Sequence, residues 1–183
     1  FSSAPEVKPP AINRSGGNAA ACHAQMYILA ALVRHGSEEQ RERYLPPIAA
    51  GELRLQAFGV TEPSAGSETT RIQTEARRIG DRYEVNGQTV WTSRAAHSDL
   101  MLLLARTTPY DETADKTRGL SLFIVDLIAA VAAGQITIRP IETMINHATT
   151  EIFISGLEVP AANLVGEEGM GFRYILDGWN AER

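Results

Sequence analysis

The stretch Phe58-Gly59-Val60-Thr61-Glu62-Pro63-Ser64-Ala65-Gly66-Ser67 decides how this chain of 183 residues is organised. Ahead of it, apolar and polar residues alternate along 53–58, which is the period of a half-buried strand. Pro63 lacks an N–H and disfavours a helical Glu62, so the strand is predicted to end there. Gly66 lets a ligand approach the backbone, and the hydroxyls beside it donate and accept hydrogen bonds. Successive amides in such a turn can bind an anion, although an ordinary turn at a strand end has the same composition.

A second segment, Trp91-Thr92-Ser93, lies at the end of another predicted strand. Asn86-Gly87 separates two short alternating runs and is typical of a tight hairpin turn, and Gly80-Asp81 marks another turn. We therefore expect separate strands at 82–86 and 88–93. A flat cofactor with polar edges and an anionic tail suits a site between the two segments.

Composition narrows the class of protein. The net charge of -5 and the hydrophobic fraction of 44% are typical of a globular protein, and no basic stripe indicates nucleic-acid binding. The single cysteine, Cys22, excludes a disulfide framework and is expected to be buried in a helix. The four histidines lack metal-ligand spacing, so no metal site is predicted. The longest apolar run, 19–33, is shorter than a membrane span. Because the chain starts at Phe1, we expect a fragment or a processed chain.

Periodicity predicts an α+β fold in which an antiparallel β-barrel or sandwich is flanked by helical segments. Residues 1–18 are predicted to form a loop or tail, and a helix follows at 19–35. Its buried face is expected to carry Cys22, Met26, Leu29, Leu32 and Val33. A capping box at Ser37 and Gln40 begins a helix at 38–44, which Leu45-Pro46-Pro47 should end. The predicted strands are 53–60, 70–79, 82–86, 88–93, 99–106, 119–126, 135–140 and 150–158.

The first quoted stretch resembles the flavin-binding signature of the acyl-CoA dehydrogenase family, V-T-E-P-x-A-G-S-D. The match departs only at Glu68, where the family has Asp and the carboxylate is kept. Residues 86–93, followed by Arg94, resemble the family's N-G-x-K-x-W-I-T/S-N, with substitutions that include Thr92 and Arg94. The resemblance covers roughly residues 20–183. It implies the end of an N-terminal helical domain at 1–50, a middle β domain at 51–160 and the start of a C-terminal helical domain at 161–183.

The resemblance implies FAD-dependent α,β-dehydrogenation of an acyl-CoA thioester. In that reaction a Glu removes the α-proton, and the β-hydrogen leaves as a hydride to FAD. Thr61 is implied to bond the pyrimidine edge, Trp91 to form a wall against the ring system, and Ser93 to approach the nitrogen that accepts the hydride. A core aromatic at Trp91 and a plain strand end at Thr61 are the alternatives. The implied cofactor-binding residues are Phe58, Val60, Thr61, Gly66, Ser67, Trp91, Thr92 and Ser93.

Glu182 is the candidate catalytic base, because some family members place their catalytic Glu immediately before an Arg at this position. Other members carry the base near the C-terminus, beyond this chain, and a Glu near a helix end is more often a solvated charge. Ser67, Asn180 and Arg183 are implied to bind the substrate, Arg183 through its coenzyme A portion.

The resemblance also implies an electron-transfer flavoprotein as the electron acceptor and a homotetramer or dimer. The expected location is the bacterial cytoplasm, or the mitochondrial matrix in a eukaryote. Two other hypotheses stay open, since a fold does not fix a function. One is a related flavin oxidase or monooxygenase, and the other is a truncated, non-catalytic remnant. A purified protein without flavin absorbance would favour the remnant.

Overall fold

A computed structural model describes residues 14–15, 19–144 and 148–182, with only the backbone of Ala20 and of residues 179–182. Most of the predicted tail at 1–18 therefore lies outside the described residues. The helices are α1 (Ala20–His35), α2 (Glu38–Ala50), α3 (Leu127–Ala132) and α4 (Gly171–Glu182). The strands are β1 (Leu55–Gly59), β2 (Glu75–Ile79), β3 (Arg82–Ser93), β4 (Leu100–Arg106), β5 (Leu120–Asp126), β6 (Ile136–Pro140) and β7 (Thr149–Pro160).

One curled sheet contains all of these strands in the order β1-β4-β2-β3-β7-β6, with β5 paired to β4. The predicted α+β class, with a barrel-like sheet beside helices, is confirmed. The sheet is mixed, because β1 runs parallel to β4 from Leu55 opposite Leu100 to Gly59 opposite Leu103. Alternation alone predicts a strand and its faces but does not reveal the direction of its neighbour.

Two apolar cores lie on opposite faces of the sheet, and β4 is buried along its whole length because it contributes to both. Leu102 and Leu104 face the core shared with the helices, together with Ile28 and Leu32 of α1. The side chains that alternate with these two along β4, those of Met101, Leu103 and Ala105, face the other core, which contains Phe123. This arrangement follows from the two-residue period of a strand. It places β1 and its C-terminal end directly beneath α1.

The predicted end of α2 at residue 44 is wrong, since the helix continues through Pro46 and Pro47 to Ala50. Tyr44 and Ile48 continue the buried face, and both are almost fully buried. Burial of these side chains stabilises the continued helix. It offsets the loss of the helical hydrogen bonds that the two prolines cannot donate, because a proline has no N–H. Gly51 then ends the helix with a φ of 78°, and its N–H donates to carbonyls of the last turn.

The predicted hairpin at Asn86-Gly87 is also wrong, because β3 runs through it without a break. Asn86 Oδ1 instead accepts the N–H of Gly156 at 2.7 Å. A Cβ on Gly87 would lie 2.3 Å from Thr74 Oγ1, so close approach of another segment explains this glycine. The β2–β3 turn lies at Gly80, whose φ is 63°, as the second turn signal predicts.

The buried face of α1 differs from the predicted one. Cys22 is exposed, Met26 is 57% exposed and Val33 is 49% exposed. Leu32 is buried as predicted, but its buried neighbours are Ala24, Ile28 and Ala31, since the small alanines let the helix lie close to the elements beside it. Of the helices in the described part of the chain, none has the length and apolar character needed to cross a membrane.

Candidate functional site

The two segments that the sequence singles out are joined by a hydrogen bond. The N–H of Val90 in β3 donates to the carbonyl of Thr61 at 2.8 Å, just beyond the end of β1. Residues 60–67, which we call the Thr61 loop, are closed by reciprocal backbone bonds between Glu62 and Ala65. The loop and the C-terminal end of β3 therefore share one edge of the sheet.

Trp91 is presented to solvent by an unusual backbone. Its φ is 61°, in the left-handed region, and its side chain is 60% exposed. The register of β3 against β7 shifts between Thr89 and Thr92, which is a β-bulge that turns Trp91 outward. Such a conformation costs a non-glycine residue about 1–2 kcal/mol and is common at functional sites. The alternative interpretation of Trp91 as a core aromatic is wrong.

The bulge is held from inside the sheet. Thr92 is buried, with its Oγ1 3.1 Å from that of Thr89. The hydroxyl of Thr150 donates to the Thr92 carbonyl at 2.7 Å. These bonds fix the backbone on both sides of Trp91, so its strained conformation in the bulge is maintained.

Arg94 anchors the other side of the segment. Its φ is 62°, and its Nε donates to Gln56 Oε1 on β1 at 2.8 Å. Its own N–H donates to the carbonyl of Ala148 at 2.9 Å. Ser93 lies between these anchors, paired with Thr149 and half-buried. Trp91 and Ser93 are thus held between β1 and β7.

Glu62 is the residue of this site that sequence reasoning missed. It is 5% exposed, and its carboxylate accepts the N–H of Gln73 at 2.7 Å and that of Thr74 at 2.6 Å. A carboxylate binding two backbone amides fixes the Thr61 loop against the segment that enters β2. The one signal in the sequence is the position of Glu62 directly before Pro63. A charged side chain in a loop is normally solvated, so it does not by itself indicate a buried role.

Arg106 holds the carbonyls of the same segment. Its Nε donates to Ile72 at 3.1 Å, and its Nη2 donates to Thr70. Burial lowers the pKa of the Arg106 guanidinium, while the charges of Tyr110 and Glu62 act in the opposite direction. The segment 70–74, predicted as strand throughout, is therefore a 3-10 turn and a short connection tied from both sides.

The other cofactor-binding residues named by the resemblance differ in exposure. Gly66 and Ser67 are exposed, and Phe58, Thr61 and Ser93 are half-buried. Val60 and Thr92 are buried, so their side chains face the interior and only their backbones lie at the edge. A Cβ built on Gly66 meets nothing within 4 Å, which leaves open space beside the loop.

Two grooves among the described residues border the Thr61 loop. One, of about 670 Å³, lies between β2 and the loop after β4 and includes Ser64. The other, of about 600 Å³, is lined by residues 62–64 of the loop and residues 86–88 of β3. Neither groove is lined by Thr61, Trp91 or Ser93. A smaller groove of about 290 Å³ separates the 115–118 loop from Phe172 and Leu176 of α4.

The helix α4 carries the remaining candidates. Tyr174 and Ile175 are buried against the helices and sheet. The backbone of Asn180 and Glu182 belongs to α4, but their side chains, and all of Arg183, lie outside the described residues. Within the described part of the chain, no cluster of His, Cys, Asp or Glu could hold a metal ion.

Known proteins resemble both the sequence and the fold. Residues 57–157 match the model of the acyl-CoA dehydrogenase middle domain, and residues 11–52 match that of the N-terminal domain. Over 152 residues the chain is 38% identical to acyl-CoA dehydrogenase FadE26 of Mycobacterium tuberculosis, covering 83% of this chain and 37% of that protein. Over 153 residues it is 34% identical to the short-chain specific acyl-CoA dehydrogenase of Clostridium acetobutylicum, covering 81% and 38%.

A solved structure gives the same result. The crystal structure of an acyl-CoA dehydrogenase from Geobacillus kaustophilus has a TM-score of 0.78 and 35% identity, covering 87% of this chain and 41% of that one. The chain therefore spans less than half the length of the relatives that it matches. With a family model matched over more than half of its residues, this chain belongs to the acyl-CoA dehydrogenase family.

Proposed function

We propose that this chain is part of an enzyme that performs FAD-dependent α,β-dehydrogenation of an acyl-CoA thioester. The observation that carries the proposal is the bond from Val90 N–H to the Thr61 carbonyl. This bond brings the Thr61 loop and Trp91 to one edge of the sheet. The resemblance to the family implies that both segments contact the same flavin. Family membership supports the class of reaction.

The residues at this edge fit a flavin. The exposed ring of Trp91 offers a flat apolar wall, and its strained backbone persists because the neighbouring bonds fix it. Thr61 and Ser93 offer hydroxyl and backbone donors, and the space beside Gly66 admits a bulky group. The residues proposed to hold the cofactor are Phe58, Val60, Thr61, Gly66, Ser67, Trp91, Thr92 and Ser93. FAD, when bound, supplies the acceptor for the hydride.

In the proposed reaction Glu182 takes the α-proton of the thioester onto its carboxylate. The electron pair of that C–H bond forms the new double bond, while the β-hydrogen departs with its own pair. Thr61 and Ser93 act as donors that stabilise the charge developing at the cofactor edge. Ser67, Asn180 and Arg183 orient the substrate, Arg183 by its charge toward the coenzyme A phosphates.

The test is Glu182→Gln in the full-length, FAD-loaded enzyme with a panel of acyl-CoA thioesters. Loss of general-base catalysis should lower turnover by about 10²–10⁴-fold. Bound-flavin absorbance should stay at the wild-type level, because Glu182 is not proposed to hold the cofactor. α-Proton exchange with solvent should be lost in parallel. Normal turnover and exchange in this variant would show that Glu182 is not the base.

The whole enzyme is further proposed to pass electrons to an electron-transfer flavoprotein and to act as a homodimer or homotetramer. The proposed location is the cytoplasm, or the mitochondrial matrix in a eukaryote. A coupled assay with an electron-transfer flavoprotein, compared with oxygen as the acceptor, separates a dehydrogenase from a flavin oxidase of the same fold. Substrate-dependent peroxide formation at the same rate would favour the oxidase.

A further inference from the structure

The helix α4 lies in backbone contact with α1. A Cβ added to Gly178 would come within 2.7 Å of the Tyr27 carbonyl oxygen, so no larger residue fits there without a shift. This close crossing fixes the distance between the two helices. It leaves the rotation of α4 about its own axis to be set by side chains.

One side chain of α1, His35, contacts α4 at two positions. Its Nε2 lies 2.6 Å from Asp177 Oδ2, and the acceptor carboxylate requires the proton to be on Nε2. Its ring also stacks on Tyr174, with centroids 4.0 Å apart and planes 20° apart. Tyr174 and Asp177 are three residues apart, so they lie on one face of the helix.

The chain leading into α4 is fastened separately. Gln40 of α2 donates from Nε2 to the carbonyls of Ala162 and Leu164 at 2.7 and 2.8 Å. The hydroxyl of Tyr174 accepts the N–H of Glu167 at 3.1 Å. These bonds hold the start of α4, while His35 contacts its middle. The His35–Asp177 bond is only partly exposed, with side chains 24% and 34% accessible.

We propose that His35 is a positioning residue that fixes the rotation of α4 and thereby the place of Glu182. The inference rests on the proposed function. Asp177 precedes Glu182 by five residues, or about 7.5 Å along a helix, so rotating one moves the other. Arg34 also reaches Asp177, with Nη1 3.9 Å from the carboxylate and 3.5 Å from the backbone carbonyl, but from an exposed position, where such contacts contribute little.

Two substitutions separate the contacts of His35. His35→Phe keeps the aromatic stack on Tyr174 and removes the hydrogen bond, whereas His35→Gln keeps a nitrogen donor and removes the stack. Arg34→Gln is the matched control, because it alters the longer, exposed contacts to Asp177 and leaves His35 in place. Each variant is made in the full-length, FAD-loaded enzyme. The readouts are kcat, KM and amide hydrogen exchange of residues 171–182.

In His35→Phe we expect α4 amides to exchange about ten times faster than in wild type, as expected when a local opening becomes easier. The value of kcat should fall about 10- to 100-fold with KM changed less than about twofold, since a misplacement near 1 Å costs that much. His35→Gln should recover most of the loss, and Arg34→Gln should match wild type. Asp177→Asn combined with His35→Phe should be no worse than either alone.

An unchanged kcat in His35→Phe would overturn the positioning role, even if α4 exchange became faster. Equal losses in His35→Phe and Arg34→Gln would overturn it as well, because they would indicate a general effect of surface charge. The proposed function fails separately. If Glu182→Gln retains turnover, the assignment of Glu182 as the base is wrong, whatever the His35 variants do. The positioning role of His35 then loses its object. If Glu182→Gln is inactive and His35→Phe is not, only the present inference fails.

Discussion

The carboxylate of Glu62 accepts the backbone N–H of Thr74 at 2.6 Å, which joins the Thr61 loop to the segment that enters β2. From the opposite side, Arg106 binds the carbonyls of Thr70 and Ile72. A buried acid and a buried base therefore hold the amides and the carbonyls of one short connection. Neither side chain is proposed to touch a ligand, yet both shape the loop that would.

Glu62→Ala should lower the free energy of unfolding by about 3 kcal/mol, because the buried amide of Thr74 and the partly buried amide of Gln73 lose a charged acceptor. Urea denaturation measures the change. The matched control is Glu68→Gln, whose carboxylate forms an exposed pair with Arg71 at 2.9 Å and should matter by less than about 0.5 kcal/mol. Similar losses in both variants would show that burial of Glu62 is not what matters.

Trp91→Gly and Trp91→Ala should differ in stability although both remove the ring. Glycine adopts a positive φ freely and alanine does not, so the glycine variant should be more stable by about 1 kcal/mol. Both variants should bind FAD more weakly than wild type, which a fluorescence titration measures. Equal stabilities would contradict backbone strain at Trp91, and undiminished FAD affinity would contradict its role as a wall.

Gly87→Ala and Gly66→Ala compare a crowded glycine with an open one. A Cβ at Gly87 would overlap Thr74, and such overpacking should cost about 1–3 kcal/mol of unfolding free energy. A Cβ at Gly66 meets nothing within 4 Å, so stability should be unchanged. Thermal unfolding of the protein without cofactor distinguishes the two. A loss at Gly66 of the same size as at Gly87 would refute the explanation by packing.

Tyr83 should make stability depend on alkaline pH. Desolvation raises the pKa of Tyr83 to about 12, and its hydrogen bond to Glu168 acts in the same direction. Since the folded pKa lies above the unfolded value of 10.0, this contribution is full below pH 10 and is lost as the pH approaches 12. Tyr83→Phe should therefore lose less stability between those pH values than wild type. Parallel pH profiles for the two proteins would exclude this coupling.

Much of the fold could be predicted from local patterns. The strands predicted at 53–60, 99–106 and 119–126 coincide with β1, β4 and β5, and the capping box at Ser37 predicts the start of α2, because each signal depends on neighbouring residues. The prediction of a hairpin at Asn86-Gly87 is wrong because this dipeptide occurs both in tight turns and where another segment lies close to the backbone. The close approach of Thr74, which is distant in sequence, shows that the second case applies here. The extension of α2 beyond Pro47 likewise depends on tertiary burial of Ile48.

The site was predictable in part for a similar reason. The Thr61 loop and Trp91 are recognisable as motifs, and their bond through Val90 joins them in space. The strained φ of Trp91 and the two amides bound by Glu62 leave no periodic trace in the sequence. Both arise from contacts with strands and loops that are distant along the chain.

The unbroken course of β3 separates two tasks in space. Its 12 residues extend about 3.3 Å each, so the turn at Gly80 and the bulge at Trp91 lie near opposite ends of a rod roughly 30 Å long or more. β7 pairs with β3 from Arg82 to Ser93, and β2 pairs with its first residues, 82–86, so the two ends of the strand stay apart. The Gly80 turn is therefore a suitable place for a fluorescent label or an affinity tag, because a probe attached there remains remote from the proposed cofactor edge.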